Sequence, residues 1–444
     1  MTNNLKQTDP QIEKLISLEK IRQKQGLEMI PSENYVSQAV LTAMGSILTN
    51  KYSEGYPRKR YYGGNDVIDK VELLAINRAK KLFGVEHVNV QPYSGSPANL
   101  AVYMATCKPG DTVMGLNLPD GGHLTHGWKV SFTGVFFNSV SYHVKKDGRV
   151  DFEEFEELAL KHKPKLIWTG ATAYVYQYEF DKFAKIADKI GAYLVADISH
   201  VAGLVLSGIH SNPVPDVHIV TSTTHKTLRG PRGGMIMVTK KGLAKDPDLA
   251  TKIDKAIFPG LQGGPHDHTT AAIAVALKEA GKPSFKKYGK QIVKNAKALA
   301  KGLKKGGLKL VGDGTENHLI LVDLTTIFGP GGGFFAQFAL EQAHITLNKN
   351  TIPKEPCSPF YPSGIRLGTP ALTTRGMTEK DMTKIATWIV KVIDEIKEEK
   401  LPDDKTKRSS YLEAFRTRVL ANKRITLVGK EIKTFANKFP IYSW

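Results

Sequence analysis

Apolar residues in this chain gather in short unbroken runs, and between the runs they recur at helical spacing. Runs at 87–90, 111–116, 165–170, 192–196, 217–221, 235–239 and 319–324 have the length and apolar content of buried strands. Helical spacing marks 67–82, the segment that follows Pro97 to about Thr106, and a helix in which Phe180, Phe183, Ala184, Ala187 and Ile190 share one side. Ile385, Trp388, Ile389, Val392, Ile393 and Ile396 define another. Near the start, residues 8–30 read as one helix with Ile12, Leu15, Ile16, Leu18 and Ile21 on an apolar side. Pro31 stops it, and Ser32 is a natural N-cap. A long helix from about Thr269 leads into the lysine-rich stretch 282–307, the expected crossover to a second domain. Residues 402–410 are expected to be a charged linker and 411–444 a terminal helical segment, and no internal repeat is present.

Composition narrows the class. The chain has 444 residues, 41% hydrophobic and 24% charged, the balance of a soluble globular protein of two or three domains. No apolar run approaches the roughly 20 residues of a membrane span, and residues 1–10 lack the basic-then-apolar pattern of a secretion signal. Cys107 and Cys357 are too few and too separated for a disulfide framework, so a cytoplasmic location is expected. The net charge of +19 admits nucleic acid, an anionic membrane or an acidic substrate as partner. Its basic runs are short (Arg58–Arg60, Lys304–Lys305, Lys405–Arg408) and dispersed, which favours a generally basic surface over a nucleic-acid site.

Candidate chemistry lies where strands open into loops. The run at 217–221 empties into Thr223-Thr224-His225-Lys226 and a glycine-rich turn, Gly230-Pro231-Arg232-Gly233-Gly234. Most lysines are solvated surface groups, but a desolvated amine at the mouth of a sheet can lose its proton and attack a carbonyl. Ser94-Gly95-Ser96, between a strand and a helix, forms either an ordinary cap or an anion cup built from free amides and hydroxyls. Asp197 ends the run at 192–196, where a carboxylate needs a cation or else caps the next helix. Lys226 follows it by 29 residues, enough for one helix or loop and a strand back to the same sheet edge. His123 and His126 suggest a metal at first sight. No carboxylate or cysteine spacing completes the set, so none is expected. Arg366, between apolar neighbours, is either a salt-bridge partner or a two-pronged carboxylate clamp. The loop 52–64 holds four tyrosines, Glu54 and three cations with no period that would bury them. The loop 328–334 looks like a phosphate loop but lacks its spacing and lysine.

The stretch Thr-Thr-His-Lys-Thr-Leu-Arg-Gly-Pro-Arg-Gly-Gly at 223–234 resembles the pyridoxal-phosphate lysine segment of the serine hydroxymethyltransferases. The resemblance extends to 31–34, 50–64, 91–99, 120–127, 197–204, 258–265, 348–353 and 363–370, in the family's order, and covers almost the whole chain. It implies an α/β architecture of the aspartate-aminotransferase type (fold type I). An N-terminal arm (1–50) would precede a large cofactor domain (51–280) with a mostly parallel sheet and a smaller α+β domain (281–444). It further implies pyridoxal 5'-phosphate joined to Lys226, with Asp197 at the ring nitrogen, His123 on the ring and His200 near the ring hydroxyl. Tyr52, Ser94, Gly95, Ser96, Thr172, Thr223, His225, Gly263 and Gly264 would complete the cofactor site. Arg366, Ser32 and Tyr62 would hold the substrate carboxylate, and Glu54 would act as acid/base at the substrate hydroxyl. Tyr61, Leu118, Gly122, Leu124, Asn350 and Phe360 would line the folate site.

The implied reaction moves the hydroxymethyl group of serine to tetrahydrofolate. It implies a homodimer in which the loop 52–64 and Gly263–Gly264 serve the neighbouring subunit, with dimer or tetramer left open. The chain departs from the family at Pro31, Trp128, Pro362 and 328–334. These departures leave room for a folate-independent aldolase of β-hydroxy amino acids. An RNA-binding protein, favoured only by charge, is the rival of another class.

Overall fold

The computed structural model describes residues 2–442. Seven strands form the larger sheet, in the order His87–Asn89, Gly234–Val238, Ile219–Thr223, Tyr193–Asp197, Leu166–Thr169, Thr112–Leu116, Asn138–Tyr142. Gly234–Val238 runs antiparallel to both its neighbours, and the other pairings are parallel. The strands are apolar at consecutive positions because both faces are covered. Val113, Trp168, Val195, Ile219 and Ile236 pack into one cluster with Ala98, Val102 and Leu249. Their chain neighbours Met114, Ile167, Leu194, Val220 and Met237 pack into another with Phe155, Phe183 and Ile273. The strand period of two thus sends alternate residues to separate cores.

A smaller antiparallel sheet orders Lys309–Leu310, Leu319–Asp323, Gly364–Gly368 and Asn348–Asn350. Its Ile320, Val322, Ile365 and Leu367 pack with Ile385, Trp388, Ile389 and Val392 of the helix Glu379–Asp394. The long helix Pro283–Lys305 adds Leu299 and Leu303 to this core and Ile292 to the larger sheet's core, so it spans the two.

The predicted strands match the apolar runs to within two residues, the largest shift being Ile219–Thr223 against 217–221, but Asn138–Tyr142 was missed, because this edge strand buries only Tyr142. The first fifty residues differ more. In place of one helix over 8–30 there are two, Thr2–Thr8 and Pro10–Gln25, and the second ends at Gly26, five residues before Pro31. Leu27–Glu28 then pairs with Ile345–Thr346 as a short parallel ladder, a tertiary pairing that outweighs the helical period. Ser32 caps nothing, since the next helix, Gln38–Met44, is capped by the Ser37 hydroxyl. The segment read as a linker is largely ordered: its last residues begin the helix Arg408–Leu420, whose Phe415 packs under Phe335. Met1, Ser443 and Trp444 lie outside the described residues.

Candidate active site

The parallel strands end on one side of the larger sheet, the side where α/β proteins present ligand sites. A cavity of about 450 Å³ opens there. Ser32, Ser94, Gly95, Ser96, Leu118, Gly122, His123, Leu124, Thr172, His200, Thr223, His225, Lys226, Asn350 and Arg366 line it, together with Arg232. Of these, Arg366 and Asn350 come from the smaller sheet, so the cavity lies between the two sheets.

Lys226 follows the strand Ile219–Thr223 on a loop that Asn34 braces, its amide donating to the Lys226 carbonyl at 3.0 Å. Burial pushes the amine down to about 8, with Arg366 and Arg232 adding to the effect against the pull of Asp197. Nζ has no ion-pair partner among the described residues, so nothing competes for its lone pair.

Asp197 ends its strand beneath His123 and His126. Burial pushes its carboxyl up, but the hydrogen bond from His126 and the nearby positive charges outweigh this and hold it below the ordinary range. Its Oδ2 accepts from Asn99 Nδ2 at 3.0 Å and faces His126 Nε2 at 3.2 Å, while Oδ1 accepts from the Ser199 amide at 3.0 Å. It does not cap a helix, because the next one begins only at Ala202. The result is a fixed anion within 4.8 Å of a ring nitrogen of His123, a residue of the cavity lining.

The helix Gly95–Thr106 begins at the cavity wall. Its N-cap Ser94 makes no side-chain capping bond, which leaves the hydroxyl and first-turn amides free for an anion. A Cβ on Gly95 would come within 2.7 Å of Thr223 Cγ2, so only glycine keeps that cradle open. Arg366 donates to Asn348 Oδ1 at 3.2 Å and to the Thr172 carbonyl, yet pairs with no carboxylate among the described residues.

A second group gathers away from this cavity. Tyr52 Oη donates to Glu54 Oε1 at 3.1 Å, and Tyr52 packs edge-on against Tyr62. A Cβ on Gly263 would lie 3.0 Å from Glu54 Oε1, and one on Gly264 would lie 3.2 Å from the Tyr52 ring. Tyr61 packs edge-on against Phe258 and is 75% exposed. Phe360, beside Lys349, also stands outside the Lys226 cavity and is exposed.

Three contributors escaped the sequence reading. Asn99 links Thr125 to Asp197, His126 bonds Asp197 while stacking on Trp168, and His318 lies behind His200. A histidine three residues after His123 was the only local signal for any of them. The fold also supplies the carboxylate that the paired histidines lacked in sequence: atoms of His123, His126 and Asp197 lie within 4.8 Å of one another. A metal on His126 Nε2 would drive that ring's proton to Nδ1, which is buried without a partner, so the set suits a proton bridge better than an ion.

Three features fit a phosphorylated pyridine aldehyde: a partly deprotonated amine, a buried anion for a ring N–H, and a glycine cradle at a helix start. On a mostly parallel seven-stranded sheet, this is the pyridoxal-phosphate-dependent transferase fold, type I. The family model for serine hydroxymethyltransferase matches residues 5–389. The chain is 58% identical over 386 residues to a serine hydroxymethyltransferase of Acidothermus cellulolyticus, covering 87% of this chain and 88% of that one. To one of Sorangium cellulosum it is 55% identical over 396 residues, 89% and 92% of the two. The chain belongs to the serine hydroxymethyltransferase family.

Proposed function

We infer that this chain catalyses the reversible transfer of the serine hydroxymethyl group to tetrahydrofolate, yielding glycine and 5,10-methylenetetrahydrofolate. Pyridoxal 5'-phosphate is its cofactor. The observation that carries the reading is one cavity lined by Lys226, whose amine burial lowers to about 8, by the helix start at Ser94–Ser96 and by Arg366, with the Asp197 carboxylate within 4.8 Å of His123 in that lining. Lys226 Nζ anchors the cofactor aldehyde. Ser94, Gly95 and Ser96 hold its phosphate at the helix start, with Tyr52, Gly263 and Gly264 contributed by a partner subunit. His123, Thr172, His200, Thr223 and His225 wall the ring. When bound, the cofactor supplies an electron-withdrawing ring that stabilises negative charge developing at the substrate Cα.

Arg366 takes the serine carboxylate in two parallel hydrogen bonds, assisted by Ser32 and by the partner's Tyr62, and so fixes which Cα bond is aligned for cleavage. Asp197 keeps the proton on the ring nitrogen. Glu54 exchanges the proton on the hydroxymethyl oxygen. Leu118, Gly122, Leu124, Asn350, Phe360 and Tyr61 form the folate surface.

The division into an arm (1–50), a cofactor domain (51–280) and a smaller domain (281–444) belongs to this reading, as does a homodimer. The homodimer is supported by the arm itself: Ile12, Leu15, Ile16, Leu18 and Ile21 are each 46–60% exposed, an apolar face with no covering in the single chain. No helix among the described residues is long and apolar enough to cross a membrane, and both cysteines are free, which supports a cytoplasmic location.

The test is serine cleavage with and without tetrahydrofolate, in the wild type and in Glu54→Gln. Folate-dependent glycine formation, lost in the variant while glycine still binds, is expected. Equal cleavage without folate would mark a folate-independent aldolase, and wild-type cleavage by the variant would remove Glu54 from its role.

A further inference from the structure

Two histidines meet at the back of the cavity, and only one of them faces it. His200, three residues after the strand Tyr193–Asp197, lines the cavity wall. His318, just before the strand Leu319–Asp323 of the smaller sheet, is fully buried. His200 Nδ1 lies 3.2 Å from His318 Nε2, with the ring centroids 5.4 Å apart. His200 Nε2 has no hydrogen-bond partner in the described residues and opens on the cavity.

Ring nitrogens this close share a single proton, and two arrangements satisfy that. In one, His200 donates from Nδ1, which leaves His318 protonated on its own Nδ1. That atom is buried and has no partner, so a donor would be stranded there. In the other, His318 donates from Nε2, and the unpartnered Nδ1 bears only a lone pair. Stranded buried N–H groups are the rarer and costlier defect, so the second arrangement prevails. It requires His200 to hold its own proton on Nε2.

We infer that His318 is a positioning residue that locks His200 in the Nε2-protonated tautomer, so that His200 presents a hydrogen-bond donor to the cavity beside Lys226. Burial and the neighbouring cations push both rings down, His318 to about 3, so both are neutral at working pH and the tautomer decides what His200 offers. A neutral imidazole locked as a donor serves an anionic or carbonyl oxygen of whatever occupies the cavity. The consequence for cofactor binding rests on the function proposed above, whereas the tautomer itself does not.

The test is nitrogen NMR of the full-length enzyme with histidine rings labelled, the His200 signals being assigned by their loss in His200→Asn. The expected spectrum shows His200 protonated on Nε2 and bare on Nδ1. The reverse pattern, or a doubly protonated ring at neutral pH, overturns the inference. His318→Gln keeps an amide donor near the Nε2 position and should retain the His200 pattern. His318→Phe removes the donor and should give mixed tautomers, with pyridoxal phosphate bound roughly tenfold more weakly for the lost alignment of one hydrogen bond. A phenylalanine variant with unchanged tautomer and affinity overturns it as well. Should that variant fail to fold, the wild-type and glutamine spectra decide the matter. If the tautomer is as expected but the chain takes up no pyridoxal phosphate, the reading of the cavity fails and the present one stands.

Discussion

Charge at Lys226 is the variable through which single residues control this site. Its amine is lowered from 10.5 to about 8 by burial, so roughly a tenth to a fifth is uncharged between neutral and physiological pH, where a surface lysine would be almost wholly protonated. Between those two values the unfolded chain binds more protons here than the folded one. The cost of burying the ammonium is therefore fully present below about pH 8 and fades as pH rises toward 10.5. The rate at which the cofactor-free chain captures pyridoxal phosphate should rise with pH to a midpoint near 8 and then level off. A midpoint near 10.5 would mean the amine is solvated. Lys226, Asp197 and Arg366 were singled out in sequence by their places at strand ends or between apolar residues, and it was the family resemblance that chose between the readings those places left open. The roles of Asn99, His126 and His318 were not legible, since their partners come from distant parts of the chain, and the spacing of His126 from His123 suggested a metal instead.

At the scale of elements, apolar period carried far for the larger sheet, where strands buried on both faces read as continuous runs. It failed in the first fifty residues. There Leu27–Glu28 joins Ile345–Thr346 across more than three hundred residues of chain, and the apolar side of Pro10–Gln25 faces outward. Period reports that a face is apolar and says nothing of what covers it. The start of Gly95–Thr106 is sensitive to a single change. Gly95→Ala would set a methyl 2.7 Å from Thr223 Cγ2. One of the two must shift, closing the cradle. Phosphate-dependent affinity should fall by about tenfold or more, roughly the loss of one charge-assisted hydrogen bond, while pyridoxal lacking the phosphate should bind with little change. Paired titrations of the two ligands check this, and an equal loss for both would move the phosphate elsewhere.

Across the whole molecule, the residues implied by family resemblance fall into two groups: those around Lys226, and Tyr52, Glu54, Tyr62, Gly263 and Gly264 beyond that cavity. A twofold assembly in which each chain lends the second group to its partner would unite them. Lys226→Ala and Glu54→Gln chains, each inactive alone, should then regain activity when mixed and refolded together, because one site of each mixed dimer receives two intact groups. Mixtures as inactive as their components would place both groups in one chain's site. The family resemblance implied this grouping as well as the residues, whereas spacing along the chain could not, because the grouping depends on the path of the chain and on a second copy.

The central claim is that the amine at 226 is the attachment point for an aldehyde cofactor. Incubating the full-length chain with pyridoxal 5'-phosphate, reducing it with borohydride and mapping the labelled peptide by mass spectrometry tests this directly. The account predicts one phosphopyridoxyl group per chain, on Lys226, and none there in Lys226→Ala. Label dispersed over surface lysines with Lys226 untouched would contradict it.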